Sequence, residues 1–404
     1  MDSAKAAIKN GAPLYWASIN MRAGMVVISP IITLIGKDLG LSTIQLAWLT
    51  SIPVICFAFA SPATTWMRRF GSVNQIITWA LWLLATSLLF RATGSAIALY
   101  VFTIGVGIGI ATLNVLLPIW VKRHGGKYSG LLTGIYVAMM GVTTSLAIGV
   151  AAPLAHLSSL GWQLSLLPWG VVALVSALWW QRYIRSDEPD EKVTSADINV
   201  RMFLHSKLAW QVMLVFGFQS MNAYATRAWL PTIMITKGFT MTSAGMTVAF
   251  AGLVGSLLAI GVPHLAQRST DQRIAIWVVS LVSLTAYIGI EYGSHNWVIF
   301  WVFLSNIGQW LAYPMALLLI IMRSPNPHQA QSLSAMVQTI GYVMGASAPL
   351  IAGALFDISG GWSLTLWLLA GIALLQALAG HSAGRVGHVQ RRDYSSELAE
   401  PPAL

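Results

Sequence analysis

The stretch APLYWASINMRAGMVVISPIITLI, residues 12–35, decides the fold. It is apolar over the ~20 residues that a helix needs to cross a bilayer, yet it carries one cation, Arg22, near its middle. If a helix begins at Ala12, Arg22 lies about 15 Å along it, near the centre of a ~30 Å hydrocarbon layer. A guanidinium does not neutralise there. It must face protein, water or an anion, and an intramembrane cation is by default a candidate for function. The plainer alternative is a structural charge satisfied by backbone carbonyls.

The rest of the chain has the same character. Its 404 residues are 56% hydrophobic and only 9% charged, where soluble domains carry about 25% charged residues. This is the composition of a polytopic membrane protein. No small-residue cleavage site follows the first segment, so that segment is expected to be retained. The single cysteine, Cys56, lies in an apolar run, which rules out a disulfide framework or a cysteine metal site. Twelve apolar segments follow one another, at about 12–35, 44–66, 74–92, 95–120, 129–154, 163–184, 208–235, 241–262, 274–291, 297–322, 331–356 and 362–381. Each is long enough to span as a helix. The expected fold class is an all-α membrane protein of twelve transmembrane helices in two six-helix bundles. The polar run Ser186-Asp187-Glu188-Pro189-Asp190-Glu191-Lys192 marks the join. The expected division is therefore residues 1–185, a linker at 186–206, residues 207–382 and a tail at 383–404.

The net charge of +10 suggests nucleic acid or acidic lipid until the charges are placed. With the N-terminus in the cytoplasm, 18 of the 23 Lys and Arg residues fall on the inside. Three, Lys37, Arg91 and Lys237, fall outside, and Arg22 and Arg227 lie within segments. That asymmetry is the positive-inside pattern. It predicts cytoplasmic termini and linker, contact with membrane lipids as a by-product, and no nucleic-acid partner.

An internal repeat supports two halves. An offset of 200 residues maps Lys37 onto Lys237, Gly141 onto Gly341, Gly161-Trp162 onto Gly361-Trp362, and Leu41-Ser42-Thr43 onto Met241-Thr242-Ser243. Six helices per copy keeps both copies in one orientation, a parallel repeat about the membrane normal that places substrate between the halves near mid-membrane. The same offset sends Arg22 to Asn222 rather than to Arg227. Arg227 lies five residues further on, about 7.5 Å toward the outside, where it can either reach the cavity or snorkel to the outer surface.

Several segments carry polar residues at mid-length. The seventh has Gln219, Asn222, Thr226 and Arg227. The tenth has Asn306, Gln309 and Tyr313, and the eleventh has Ser334, Gln338 and Tyr342. Asn20 precedes Arg22, Asn114 lies in the fourth segment and Tyr136 in the fifth. A single Asn or Ser in a membrane helix is usually interhelical glue. Three polar stripes together predict a cavity instead. The 13 acidic residues and 8 histidines all fall in loops, linker, tails or helix ends, with Glu291 at the outer end of the ninth segment. No carboxylate or imidazole relay is therefore expected inside the membrane. A cavity with fixed positive charge and no negative charge suits a small anion or a strongly polar neutral solute.

The Gly105-x-Gly107-x-Gly109 run follows no strand, so it does not make a dinucleotide site. No Walker loop, His-Glu-x-x-His or Gly-x-Ser-x-Gly is present, and neither an enzyme nor a cofactor or metal is expected.

The two-half pattern resembles the major facilitator superfamily. The inner loop of that family carries an Asp before Arg and Gly. Here the first copy reads Arg68-Arg69-Phe70-Gly71 without the Asp, while the second keeps Asp271-Gln272-Arg273. More closely, the chain resembles the cyanate and nitroimidazole transporter family. The stretches that carry this are Asn20-Met21-Arg22 with Ser29-Pro30, Asn114-Val115-Leu116-Leu117-Pro118 with Lys122-Arg123, Trp229-Leu230-Pro231, Asp271-Gln272-Arg273, and Gln338-Thr339-Ile340-Gly341-Tyr342. The resemblance implies a multi-pass carrier of the bacterial inner membrane, working as a monomer on a small polar or anionic substrate by alternating access. Arg22 matches the family pattern; Arg227 is not expected from it. The expected binding residues are Arg22, Asn20, Asn114, Tyr136, Gln219, Asn222, Arg227, Gln309, Tyr313, Gln338 and Tyr342. The rival readings are efflux of a polar antimicrobial or metabolite, and a membrane sensor built on the transporter fold.

Overall fold

The computed structural model describes residues 11–184, 203–259, 261–262, 269, 271–324 and 327–387. Among these residues the regular structure is entirely helical. Residues 185–202 of the expected linker region and the tail from 388 lie outside the described residues.

The first segment forms α1 in pieces: Ala12–Ile19, Ala23–Val26, a 3-10 turn at Ser29–Ile31, and Ile32–Leu39. The sequence predicted one continuous helix. The chain leaves helical geometry at Arg22, whose φ of −137° and ψ of −36° are off the α values. Pro30 then removes the N–H that would have continued the ladder to Val26. Gly40, at φ +64°, closes α1 in the left-handed conformation that glycine adopts without strain.

The second segment, α2, is also divided, into Thr43–Ala58 and Ala60–Met67, because Pro62 cannot return a hydrogen bond to Ala58. The others are α3 (Val73–Phe90), α4 (Ala96–His124), α5 (Ser129–His156), α6 (Trp162–Ile184), α7 (Lys207–Thr236), α8 (Met241–Ala259), α9 (Arg273–Tyr292), α10 (His295–Met322), α11 (Pro327–Ser359) and α12 (Ser363–Ala383). The starts of α2 and α3 follow from sequence: Ser42 with Gln45 and Ser72 with Gln75 form reciprocal capping boxes.

Among the described residues, ten of these twelve helices are long and apolar enough to cross a membrane. Of the other two, α2 is interrupted, and α7 is made less apolar by Gln219, Ser220, Asn222, Thr226 and Arg227 at mid-length. At 30 residues α7 has length to spare, but it is the most enclosed helix, buried along most of its length. A helix surrounded by protein does not need an apolar surface.

Within the first six helices α3 packs on α4 and α6, and α5 on α1. Within the last six α7 packs on α11 and α12, and α9 on α10 and α12. Across the halves α2 lies along α11 and α5 along α8. These crossings depend on small residues. A Cβ at Gly353 of α11 would lie 3.1 Å from the Thr43 carbonyl of α2, and one at Gly245 of α8 would lie 3.2 Å from the Ile148 carbonyl of α5.

The two faces of the molecule differ. One carries Arg69, Lys122, Arg123, Arg273 and Arg323 and is here called the basic face. On the other, the halves meet. The Ser29 hydroxyl of α1 donates to the Arg227 and Ala228 carbonyls of α7, and the Ile44 N–H donates to Asp357 at 3.0 Å. At the basic face Asp271 accepts from the Arg273 backbone N–H and from its guanidinium at 2.6–3.1 Å. Those bonds lower its carboxyl to a pKa of about 2. Arg323 is tied to the Ala383 and Gly384 carbonyls and to Gln272. The retained second copy of the loop motif thus ties the start of α9 to the ends of α10 and α12. In the first copy the corresponding position, two residues before α3, is Gly71, and the acid is absent.

The closed face gives a test. Replacing Gly353 with Leu forces α2 and α11 apart where the Thr43 carbonyl cannot yield. In a Cys56→Ala background, a Ser29→Cys probe should then label several times faster with an impermeant maleimide. Unchanged labelling would show that the α2–α11 contact does not hold this face shut.

Candidate functional site

The first link is the break in α1. Turning out of the helix at Arg22 directs that side chain toward the space between the halves, where it is only half-buried. Behind the break sits Arg91. The charge pattern placed it outside the membrane. It follows the last residue of α3 but is fully buried, and it donates to the Gly24 carbonyl at 2.6 Å. That carbonyl lies where the ladder of α1 lapses, so a guanidinium meets a backbone acceptor left over by the break. Arg91 Nε and Nη1 have no partner of their own. A Cβ on Gly24 would lie 2.7 Å from Leu88, so α3 presses directly on the same turn.

The second link is the cavity-facing side of α7. Successive residues are about 100° apart on a helix, so Gln219, Ser220, Ala223, Tyr224 and Arg227 share one side. All five line a cavity together with Arg22. Asn222 and Thr226 fall on the flank. Thr226 shares a hydrogen bond of 2.9 Å with the Tyr287 hydroxyl of α9. Asn222 is fully buried against α12; with its amide oxygen and nitrogen assigned to suit their neighbours, it donates to the Leu369 carbonyl at 3.1 Å and accepts from the Ala373 N–H at 3.2 Å. The polar residues of the seventh segment therefore divide into a cavity face and a packing face.

The cavity lies between the halves and is lined from α1, α5, α7, α10 and α11. The Arg22 guanidinium lies 5.4 Å from the centre of the Phe57 ring and beside the Tyr224 hydroxyl. The Arg227 guanidinium lies 5.5 Å from the Tyr224 ring and 5.6 Å from the Trp310 ring. These are cation–π distances. Tyr342 packs edge-on against Phe57 and Phe216, and Phe216 lies beside Tyr313. Met140 and Thr144 of α5 complete the wall.

Of the sequence-predicted residues, Arg22, Gln219, Arg227, Tyr313 and Tyr342 come together here. The others lie elsewhere. Asn20 is buried against α6, donating to Ser176 and to the Trp16 carbonyl. Gln309 points to α9, donating to Ser283 and Tyr287. Gln338 donates to Ser334 on its own helix. Asn114 and Tyr136 are outside the lining, although Tyr136 is an electrostatic neighbour of Tyr313. Arg227 reaches the cavity and does not snorkel, since α7 is enclosed by its neighbours. Tyr224 and Trp310 were not anticipated. Each stands three residues before a predicted residue, Arg227 and Tyr313, on the same helical side.

Neither cavity arginine has a carboxylate partner among the described residues. Asp271 is held by Arg273, and Glu291 by Ser363 at 2.6 Å and Lys237 at 3.8 Å, at the end of α9. Asp38 accepts from Trp162, and Asp357 from the Ile44 N–H. The described residues contain no cluster of His, Cys, Asp and Glu that could hold a metal ion. The arrangement can bind and orient a small solute with negative charge or strong dipoles, and stack it on aromatic faces.

Two helical bundles around a central polar cavity, shut at one face, define a solute carrier. The sequence profile of the Major Facilitator Superfamily matches residues 14–349. The chain belongs to that superfamily and, within it, to the family of the cyanate and 2-nitroimidazole transporters. It is 32% identical over 375 residues to the 2-nitroimidazole transporter of Escherichia coli (strain K12), covering 93% of this chain and 95% of that one. It is 25% identical over 347 residues to the cyanate transport protein CynX of the same organism, covering 85% and 89%. Among solved structures, a bacterial homologue of the human lysosomal transporter Spinster superposes with a TM-score of 0.76 over 94% of this chain and 97% of that chain, at 16% identity. That likeness concerns the fold.

Tyr224 touches both arginines, which makes it separable. Tyr224→Phe removes the hydroxyl beside Arg22 and keeps the ring under Arg227. For whichever small solute binds in the cavity, it should weaken binding by about 1 kcal/mol, roughly a fivefold rise in Kd. Tyr224→Leu, which removes both contacts, should cost more. Equal Kd values for the wild type and both variants by calorimetry would remove Tyr224 from the site.

Proposed function

We propose that the protein is a secondary transporter that moves a small planar anion, or a small polar solute of the cyanate or nitroimidazole kind, by alternating access. The observation that carries this reading is the pair of half-buried guanidiniums in one aromatic-walled cavity without a carboxylate beside them. Arg22 is the anchor for negative charge. Its planar fork matches a flat anion in two parallel hydrogen bonds. Gln219 and the Tyr224, Tyr313 and Tyr342 hydroxyls supply neutral polar contacts, and Trp310 and Phe57 supply faces. The E. coli relatives named for cyanate and 2-nitroimidazole are consistent with a substrate that is flat and carries negative charge or a nitro dipole.

In this reading the basic face is cytoplasmic, in the inner membrane of a bacterium, with both termini and the 186–206 linker on that side. The bundles 1–185 and 207–382 rock about the cavity, and the carrier works as a monomer. The contacts of Ser29, Ile44 and Gly353 then close the periplasmic side. Moving one negative charge into a cell costs about 2.3 kcal/mol per 100 mV, so import requires a compensating flux, whereas efflux by the same site runs with the potential.

The assay is counterflow of labelled cyanate in proteoliposomes, with nitrite, benzoate and 2-nitroimidazole as competitors and an organic cation as control. Arg22→Ala and Arg22→Lys should both fall below about a tenth of wild-type rate, a loss of ~1.4 kcal/mol or more. Lys keeps the charge but loses the fork. Normal counterflow by Arg22→Ala would take Arg22 out of the site.

Proton coupling gives a separate test. Asp38, Glu291 and Asp357 stand at helix ends near the closed face, and each is already engaged, Asp38 by Trp162, Asp357 by the Ile44 N–H and Glu291 by Ser363 and Lys237; Glu291 is tested as the sequence candidate. Counterflow by Glu291→Gln should match wild type with and without a pH gradient. A gradient requirement that Glu291→Gln alone abolishes would establish a side-chain relay.

A further inference from the structure

The two cavity cations belong to different halves. Arg22 stands on α1 and Arg227 on α7, and both line the same cavity. Tyr224 lies beside both, its hydroxyl on the Arg22 side and its ring under Arg227, so the two like charges share one space. The nearest described acids are engaged elsewhere, and none faces this space. The backbone that carries Arg227 is also where the halves meet, because Ser29 donates to the Arg227 and Ala228 carbonyls. Any rocking of one bundle against the other therefore changes the separation of the two charges.

We propose that this pair makes the protein an anion exchanger, with Arg227 as the residue that sets the mode. The inference rests on the reading of the cavity as an anion site. To change its open face, a carrier passes through a state closed on both sides. In that state water leaves the cavity, and the repulsion between the guanidiniums is no longer screened. An empty carrier must bury two unpaired cations. A carrier holding an anion between them buries a compensated cluster. The anion thus stabilises the closed state far more than the open one, and a ligand shifts a conformational equilibrium only through such a difference. Loaded transit is fast and empty transit slow, so each inward passage is followed by an outward passage with another anion. One-for-one exchange of monoanions moves no net charge, which removes the potential cost of import.

The test uses the full-length protein in liposomes and labelled cyanate at pH 8, with leak through protein-free liposomes subtracted. Two rates are measured: counterflow against saturating internal cyanate, and net downhill entry into cyanate-free liposomes with the potential clamped at zero by potassium and valinomycin. Wild-type counterflow should exceed net entry by about tenfold or more. Arg227→Lys, which keeps the charge, should preserve that ratio, and Arg227→Gln should bring it toward unity. Net entry equal to counterflow in the wild type overturns the proposal, and so does an unchanged ratio in Arg227→Gln. If Arg227→Gln does not fold, the wild-type and Arg227→Lys ratios still decide: a low ratio in either refutes it. Absence of wild-type counterflow overturns the anion-site reading itself, and the exchange proposal with it.

Discussion

A guanidinium in the middle of a membrane cannot shed its proton and cannot be left dry. That constraint organises this protein. Arg22 needs an opening in the helix that carries it, a cavity in front of it, and support behind the opened turn. The break in α1 supplies the first, the space between α1, α7, α10 and α11 the second, and Arg91 on Gly24 the third. Arg227 repeats the demand from the other half. α7 satisfies it by lying largely inside the protein, so that its mid-length polar residues meet protein and the cavity rather than lipid.

The aromatic residues are the second layer of the same solution. Phe57, Tyr224 and Trp310 offer ring faces to the two cations, and Tyr342 links Phe57 to Phe216 across the halves. Such faces stabilise a cation without contributing a negative charge. The cavity can therefore hold its arginines in place while leaving their charge available to a ligand. A carboxylate would hold them more firmly and would compete with that ligand.

Much of this was legible in the sequence. Hydropathy located the helices, and the apolar stretch around Arg22 named the central cation. The polar stripes identified α7, α10 and α11 as cavity helices. What periodicity could not do was choose between two faces of one helix. Asn222 and Gln309 are as polar as Gln219, but they spend their hydrogen bonds on α12 and α9. Tyr224 and Trp310 escaped because a search for polar groups passes over rings, although a cation at mid-membrane calls for them. The break in α1 was hidden because the signal for continuity, an unbroken apolar run, says nothing about Arg22 leaving helical dihedrals. Arg91 was counted with the surface charges because it ends a segment; its burial is a tertiary fact.

The turn at Gly24 also constrains how this sequence can drift. A side chain there meets Leu88, and the carbonyl there is held by Arg91, three residues on and just past the end of α3. Positions 24, 88 and 91 therefore form one inherited unit. A lineage that gains a methyl group at 24 must shrink 88 in the same interval, and one that loses the guanidinium at 91 must find another donor for the carbonyl. Across descendants of this chain, those three columns should vary together or stay fixed, while the lipid-facing positions between them change freely.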